Sequence, residues 1–238
     1  MAVDTPTKPN GLKTALDTIV APKAAFESLR VAPTWVWALL ISIVCVMLSS
    51  YITTPAVIHG LSTDWPNLLA KDPNTAALSP DQQQARLAIA VKFTQFVWII
   101  TPIFVLFAAL IGTVIMIIFN ALGRGEGTFG KYWAAQCNIA LIPSIGAIIL
   151  AVIVLLRGSD SFTTAQSVNE SIPSLGMLVP GTGKLHVFLA VFTPFSIWAA
   201  GLAIAALSIV GRLPRVQAWL GGGLTLVLPA LIVAAFAK

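Results

Sequence analysis

The chain has 238 residues, of which 57% are hydrophobic and only 10% charged, with a formal net charge of +5 and a mean hydropathy of +0.89. A water-soluble domain carries roughly 25% charged residues, so composition excludes a soluble globular fold. The only two cysteines, Cys45 and Cys137, both fall in uncharged stretches; they are too few for a metal site, lie off any exposed loop that a disulfide framework would use, and read as small apolar residues.

The placement of charge sets the architecture. Every Asp, Glu, Lys and Arg lies in residues 1–34, 56–92, 120–131, 157–184 or 212–215, or at Lys238. Between them run five uncharged stretches, 35–55, 93–119, 132–156, 185–211 and 216–237, each longer than 20 residues. About 20 helical residues cross a hydrocarbon core of about 30 Å, whereas spanning strands need about 10 residues of strict alternation. These stretches do not alternate. The expected fold is therefore all-α, a polytopic transmembrane bundle of five spans, with residues 1–34 as leader and 35–237 as the membrane domain.

In chain order, residues 11–30 predict interfacial helix. Leu12, Leu16, Ile19 and Val20 recur at helical spacing, Pro22 suits the first turn of a second short helix, and Phe26 and Leu29 continue its apolar side. No apolar core precedes a small-residue cleavage site, so the first span is expected to act as its own targeting signal. An outer loop, 56–92, then carries Pro55 at its border and Pro66, Pro73 and Pro80. Ser79-Pro80-Asp81 predicts a helix start that leads into the second span, since it combines a capping hydroxyl, a first-turn proline and an acid at the positive end of the dipole. Gly125-Glu126-Gly127-Thr128-Phe129-Gly130 formally matches a dinucleotide fingerprint. It follows a span rather than a strand, however, and reads as a tight connection whose glycines allow positive φ, anchored at the interface by Phe129, Tyr132 and Trp133. The 157–184 loop is rich in Ser, Thr, Gly and Pro.

Pro102, Pro143, Pro194 and Pro229 fall near the middle of four spans and predict a kink in each. Their expected role is helix shape, with hinge or substrate-lining carbonyl as the alternative. Thr101-Pro102, Gly123-Arg124, Trp133 and Pro143 are echoed by Thr193-Pro194, Gly211-Arg212, Trp219 and Pro229, with ten residues from Trp to Pro in both. This raises a parallel repeat of two hairpins. Gly201 and Ala205, with Ala199 and Ala203, predict a close helix contact, and Gln95, Gln136 and Asn138 are placed to hydrogen-bond between helices.

Orientation follows from the basic residues. With the N-terminus inside, segments 1–34, 120–131 and 212–215 hold eight Lys and Arg, against six in the longer segments of the other side. Trp35, Trp37, Trp133 and Trp219 fall at the same ends of their spans, where indoles favour the interface. The expected topology is N-inside, C-outside.

Sites of chemistry are not evident. The spans hold no Asp, Glu, Lys or Arg, and the two histidines, His59 and His186, have no carboxylate or cysteine at ligand spacing. No catalytic residue, metal site, cofactor or nucleic-acid contact is expected, and the chain is expected not to be an enzyme.

The leader reading Ile19-Val20-Ala21-Pro22-Lys23-Ala24-Ala25-Phe26, five spans, Gly125-Glu126-Gly127-Thr128-Phe129 between spans two and three, Pro143 in span three and a very short C-terminus resemble the Yip family of Rab-GTPase-interacting membrane proteins, in particular their bacterial relatives. The resemblance covers residues 12–237. It implies a five-span bundle with a cytoplasmic N-terminus and, for eukaryotic members, vesicle trafficking, oligomerisation and small-GTPase contacts through a long N-terminal region. The Asp-Leu-Tyr-Gly-Pro type motif of that region does not occur here. The resulting expectation is a non-enzymatic scaffold, adaptor or membrane-organising protein of a bacterial inner membrane, in contact with the lipid bilayer and with a membrane or cytoplasmic protein; self-association is left open. Its contact surfaces are expected around Pro22 and Phe26 and in loop 123–131. A transporter or channel for an uncharged or lipidic substrate is the alternative.

Overall fold

The computed structural model describes residues 10–71, 77–179, 181 and 183–237. Lys8, Pro73, Lys238 and the side chain of Lys71 lie outside the described residues. Among the described residues there is no strand. The helices are α1 (Gly11–Val20), α2 (Pro22–Val31), α3 (Val36–Lys71), α4 (Pro80–Leu122), α5 (Phe129–Ile139), α6 (Leu141–Arg157), α7 (Ala165–Asn169), α8 (Lys184–Ala190), α9 (Pro194–Val210) and α10 (Arg215–Phe236), with single 3₁₀ turns at Ser159–Ser161 and Leu175–Leu178.

Helices α3, α4 and α10 and the consecutive pair α5–α6 are long and apolar enough to cross a membrane. Helices α8 and α9 meet the same test together, bent by 63°, and give a fifth crossing when the pair is one span. The chain is thus an all-α polytopic membrane protein.

Two helices run well past their uncharged stretches. Helix α3 has 36 residues and contains Pro55 and Pro66, so the first part of the expected outer loop is helical. At 1.5 Å per residue α3 is about 54 Å long, well beyond a core of about 30 Å. Helix α4 has 43 residues and starts at Pro80. Its start is the predicted one: Gln82 N–H meets Ser79 Oγ at 3.4 Å and Ser79 N–H donates to Gln82 Oε1 at 3.1 Å, a reciprocal cap.

The four mid-span prolines behave differently from one another. Pro102 and Pro229 lie inside continuous helices. Pro143 follows the break at Ala140 between α5 and α6; lacking an N–H, it cannot bond the Ile139 carbonyl. Pro194 lies at the 63° bend between α8 and α9, where the helix breaks rather than kinks. It is the first residue of α9, whose start is capped by Thr193 and Ser196: Ser196 N–H donates to Thr193 Oγ1 at 3.2 Å, and Thr193 N–H to Ser196 Oγ at 2.8 Å. These side chains satisfy N–H groups at the start of α9 that no preceding helical turn can reach.

The chain divides into two compact units. The first comprises the described parts of Met1–Ile43, Val105–Ser144 and Ser174–Lys238. In it α9 packs on α10, α2 and α5, and α1 on α2 and α5. Its core is Phe26, Leu29, Met116, Tyr132, Ile142, Leu207 and Val210 with several alanines. Lipid tails are as apolar as these side chains, so close fit rather than burial from water holds such helices together. The fit comes from glycine. A Cβ at Gly222 would strike Ile204, and one at Gly221 would come within 2.8 Å of Leu207 and 2.9 Å of Phe119. The predicted contact through Gly201 does not form: Gly201 is exposed, with nothing near its missing Cβ.

The second unit comprises the described parts of Val44–Phe104 and Ile145–Pro173. Ala56, Val154, Phe162 and Val168 form its core. Ser49 Oγ donates to the Ala147 carbonyl at 2.6 Å, the Arg157 guanidinium lies 4.7 Å from the Phe162 ring centroid, and Gly60 gives room for the Thr164 backbone.

Candidate functional site

The best-defined polar constellation surrounds the six-residue connection 123–128 between α4 and α5. Helix α4 ends with Arg124 N–H on the Ala121 carbonyl at 3.4 Å and Gly125 N–H on the Asn120 carbonyl at 2.8 Å, and Arg124 itself has φ +52°. This is the closing pattern in which glycine ordinarily holds the left-handed position.

Asn120, in the last turn of α4, then holds the connection with its side chain. Its Nδ2 donates to the carbonyls of Gly125 at 3.3 Å and Gly127 at 3.1 Å. Its Oδ1 accepts from Gly127 N–H at 3.0 Å and from the Tyr132 hydroxyl at 2.8 Å. All four hydrogen-bonding positions of the amide are used on one loop and one side chain of α5. A third segment joins the connection: Glu126 N–H donates to the Gly211 carbonyl at 2.9 Å, and Arg212 pairs with Glu126 at 3.1 Å.

Glycine is needed at three positions for space. A Cβ at Gly127 would overlap the Tyr132 ring, one at Gly125 the Asn120 Oδ1, and one at Gly211 the Tyr132 hydroxyl. The expected reason, positive φ, does not hold there. Among the described residues positive φ falls on Arg124, Arg212, Gly158 and Gly181. Tyr132, expected at the interface with its neighbours, is fully buried, because its hydroxyl finds Asn120.

The outer side of the connection is basic and aromatic. Phe129 is 53% exposed and stacks on Trp133 at 6.4 Å, and Trp133 meets Trp35 edge-on at 6.1 Å. Arg124, Arg212 and Arg215 are exposed. Pro22 is the first residue of α2. Phe26, expected on a contact surface, has no exposed area and belongs to the core, so it supports the leader from within.

The glycine–arginine corners tie the two hairpins together. Arg124 and Arg212 both have φ +52° immediately after a glycine, and each turns a chain from one span to the next. The correspondence ends at Thr-Pro, which lies inside α4 at Pro102 but begins α9 at Pro194. Asn120 was not singled out from sequence, Tyr132 was read as an interface anchor only, and Gly211 only as part of the repeat. Their partners are distant or across a loop, and the one local signal was an amide at the edge of an uncharged span.

The second unit carries an open groove of about 810 Å³, lined by Tyr51, Pro55, Ile58, His59, Gln95 and Leu155 among others. Tyr51 meets Trp98 edge-on at 5.8 Å. His59 Nδ1 lies 3.0 Å from the Phe162 carbonyl and therefore carries the proton. Gln95, expected to bond between helices, lines this groove, while Asn138 Nδ2 donates to the Thr34 carbonyl at 2.9 Å and Gln136 Nε2 meets Met116 Sδ at 3.6 Å. Among the described residues no three His, Cys, Asp or Glu side chains group as metal ligands.

No solved structure matches this chain. A membrane protein of Bacillus subtilis (strain 168), YknW, is 30% identical over 203 residues, covering 85% of this chain and 80% of the relative. The profile of the Yip1 domain matches residues 16–237, from within α1 to just past the end of α10. The chain, with its helical membrane architecture, belongs to the Yip1 domain family of multi-pass membrane proteins.

Proposed function

We propose that the chain is a non-enzymatic scaffold or membrane-organising protein of a bacterial inner membrane, N-inside, which captures a membrane or cytoplasmic protein on its basic, aromatic connection 123–131. The observation that carries this reading is the Asn120 clasp. A six-residue turn between spans does not need four side-chain hydrogen bonds to close. Fixing it holds Phe129, Arg124 and Arg212 in one arrangement, and a surface ordered before binding spares the cost of ordering it on contact. Arginine and aromatic side chains are the types most enriched where binding energy concentrates, and their charge fits an acidic partner surface.

Purification in native lipid particles, followed by mass spectrometry of what accompanies the protein, tests the proposal. A stoichiometric protein partner that is lost from Phe129→Ala combined with Arg215→Ala supports it. Both side chains are exposed, so the fold is not at stake. Retention of the partner by this variant would remove the assigned surface. The groove of the second unit favours the second reading, a transporter or channel for an uncharged or lipidic substrate, which gains if the protein emerges with one enriched lipid and no partner.

A further inference from the structure

Helix α1 is turned inside out relative to a helix in water. Its inward face is Thr14, Ala15 and Thr18, at most 3% exposed, whereas Leu12, Leu16 and Val20 are 42%, 58% and 78% exposed. The three apolar residues recur every four positions and so form one stripe. The buried threonines need no partner from the bundle. Thr14 Oγ1 donates to the Asn10 carbonyl at 3.2 Å, and Thr18 Oγ1 to the Thr14 carbonyl at 2.9 Å. With the hydroxyls satisfied inside the helix, this face packs as a small-residue surface.

The depth of α1 is fixed by its neighbours. A Cβ on Gly11 would lie 3.3 Å from Trp37 Cδ1 and 3.4 Å from Thr34 Cβ, and Ala15 packs with Ala38 and Leu141. Trp37 is 54% exposed in the first turn of α3, and Trp35, just before that helix, meets Trp133, on which Phe129 stacks. Such an aromatic cluster at span ends sits at headgroup level. The charges on this side favour an anionic surface. Segments 1–34, 120–131 and 212–215 carry eight basic against four acidic residues, while the opposite connections and Lys238 carry six against five.

We infer that the Leu12–Leu16–Val20 stripe is immersed in the headgroup–acyl boundary of an anionic leaflet, with the exposed Lys23 toward the phosphates. The leader is then held by protein on one face and by lipid on the other. This goes beyond the proposed protein partner, and the two fail separately, because capture reads loop 123–131 and depth reads α1.

The test uses the full chain with Cys45→Ala, the buried Cys137 being retained, and an environment-sensitive fluorophore on Leu16→Cys or Val20→Cys. Glu27→Cys, exposed on α2, is the control. The vesicles contain phosphatidylcholine and phosphatidylglycerol. An interfacial helix lies about 5–10 Å into this boundary, so emission at positions 16 and 20 shifts to the blue. Lipids brominated near the headgroup quench it more than lipids brominated at the chain ends, and the control stays water-like. Water-like emission at Leu16→Cys in normally inserted protein would overturn the inference. So would a pyrene excimer between Leu16→Cys copies that persists on dilution with lipid, since a second copy would then cover the stripe. Depth unchanged in phosphatidylcholine alone would overturn the anionic part.

Discussion

Replacing Asn120 by alanine removes all four hydrogen bonds that its amide makes to Gly125, Gly127 and Tyr132. A hydrogen bond contributes about 0.5–1.5 kcal/mol net, and a buried group left unpaired costs about 1–3 kcal/mol. The loop carbonyls and the Gly127 N–H are half-buried and partly regain partners, so the expected loss is about 2–4 kcal/mol rather than the sum of four bonds. Tyr132→Phe keeps the ring in the core and removes a single bond, for about 1 kcal/mol. The two side chains share that bond, so the double variant should lose less than the two singles added, by about 1 kcal/mol. Equilibrium unfolding in mixed micelles, followed by tryptophan emission, measures all four proteins. If Asn120→Ala lies within about 0.5 kcal/mol of the parent, a range ordinary for surface changes, or if the two losses simply add, the clasp does not hold the connection.

Three further outcomes are expected. Gly211→Ala and Gly127→Ala, whose new methyls meet Tyr132, should each destabilise by about 1–3 kcal/mol through overpacking, and Gly201→Ala, with open space, should not. Arg124→Gly and Arg212→Gly remove side chains from the left-handed region, where an L-residue costs about 1–2 kcal/mol; unfolding should show each neutral or slightly stabilised, and clear destabilisation would mean that the side chains hold the corners. In intact cells, an impermeant thiol reagent should reach Thr163→Cys and miss Thr128→Cys, both exposed, and the reverse pattern would invert the topology.

What was readable in the sequence is what depends on composition along the chain. Uncharged runs locate the spans because charge is expelled from lipid wherever the neighbours lie, and Ser79-Pro80-Asp81 marks a helix start because capping is local. Helix ends were less readable. Charge ends a span but not a helix, so α3 continues through Pro55 and Pro66. The break before Pro194 depends on Ser196, whose Oγ also donates to the Val191 carbonyl at 2.6 Å, and on Leu175 N–H reaching the Phe192 carbonyl at 3.1 Å. The second of these bonds joins residues far apart in sequence. Phe26 was placed on the correct helix and with Leu29 on its apolar side, but as a contact surface, whereas both are in the core; amphipathic spacing shows that a helix has an apolar side and not what covers it. Gly125 and Gly127 were singled out for backbone freedom, and it is side chains of α4 and α5 that require them.

The shortness of α9 has a consequence for the surrounding bilayer. Helix α9 has 17 residues and is about 26 Å long, whereas the uncharged run 93–119 of α4 is about 40 Å. A typical hydrocarbon core lies between these lengths, so the two helices make different demands on the lipid beside them, each ångström of mismatch costing a fraction of a kcal/mol. Lipid of one thickness cannot match both apolar lengths at once.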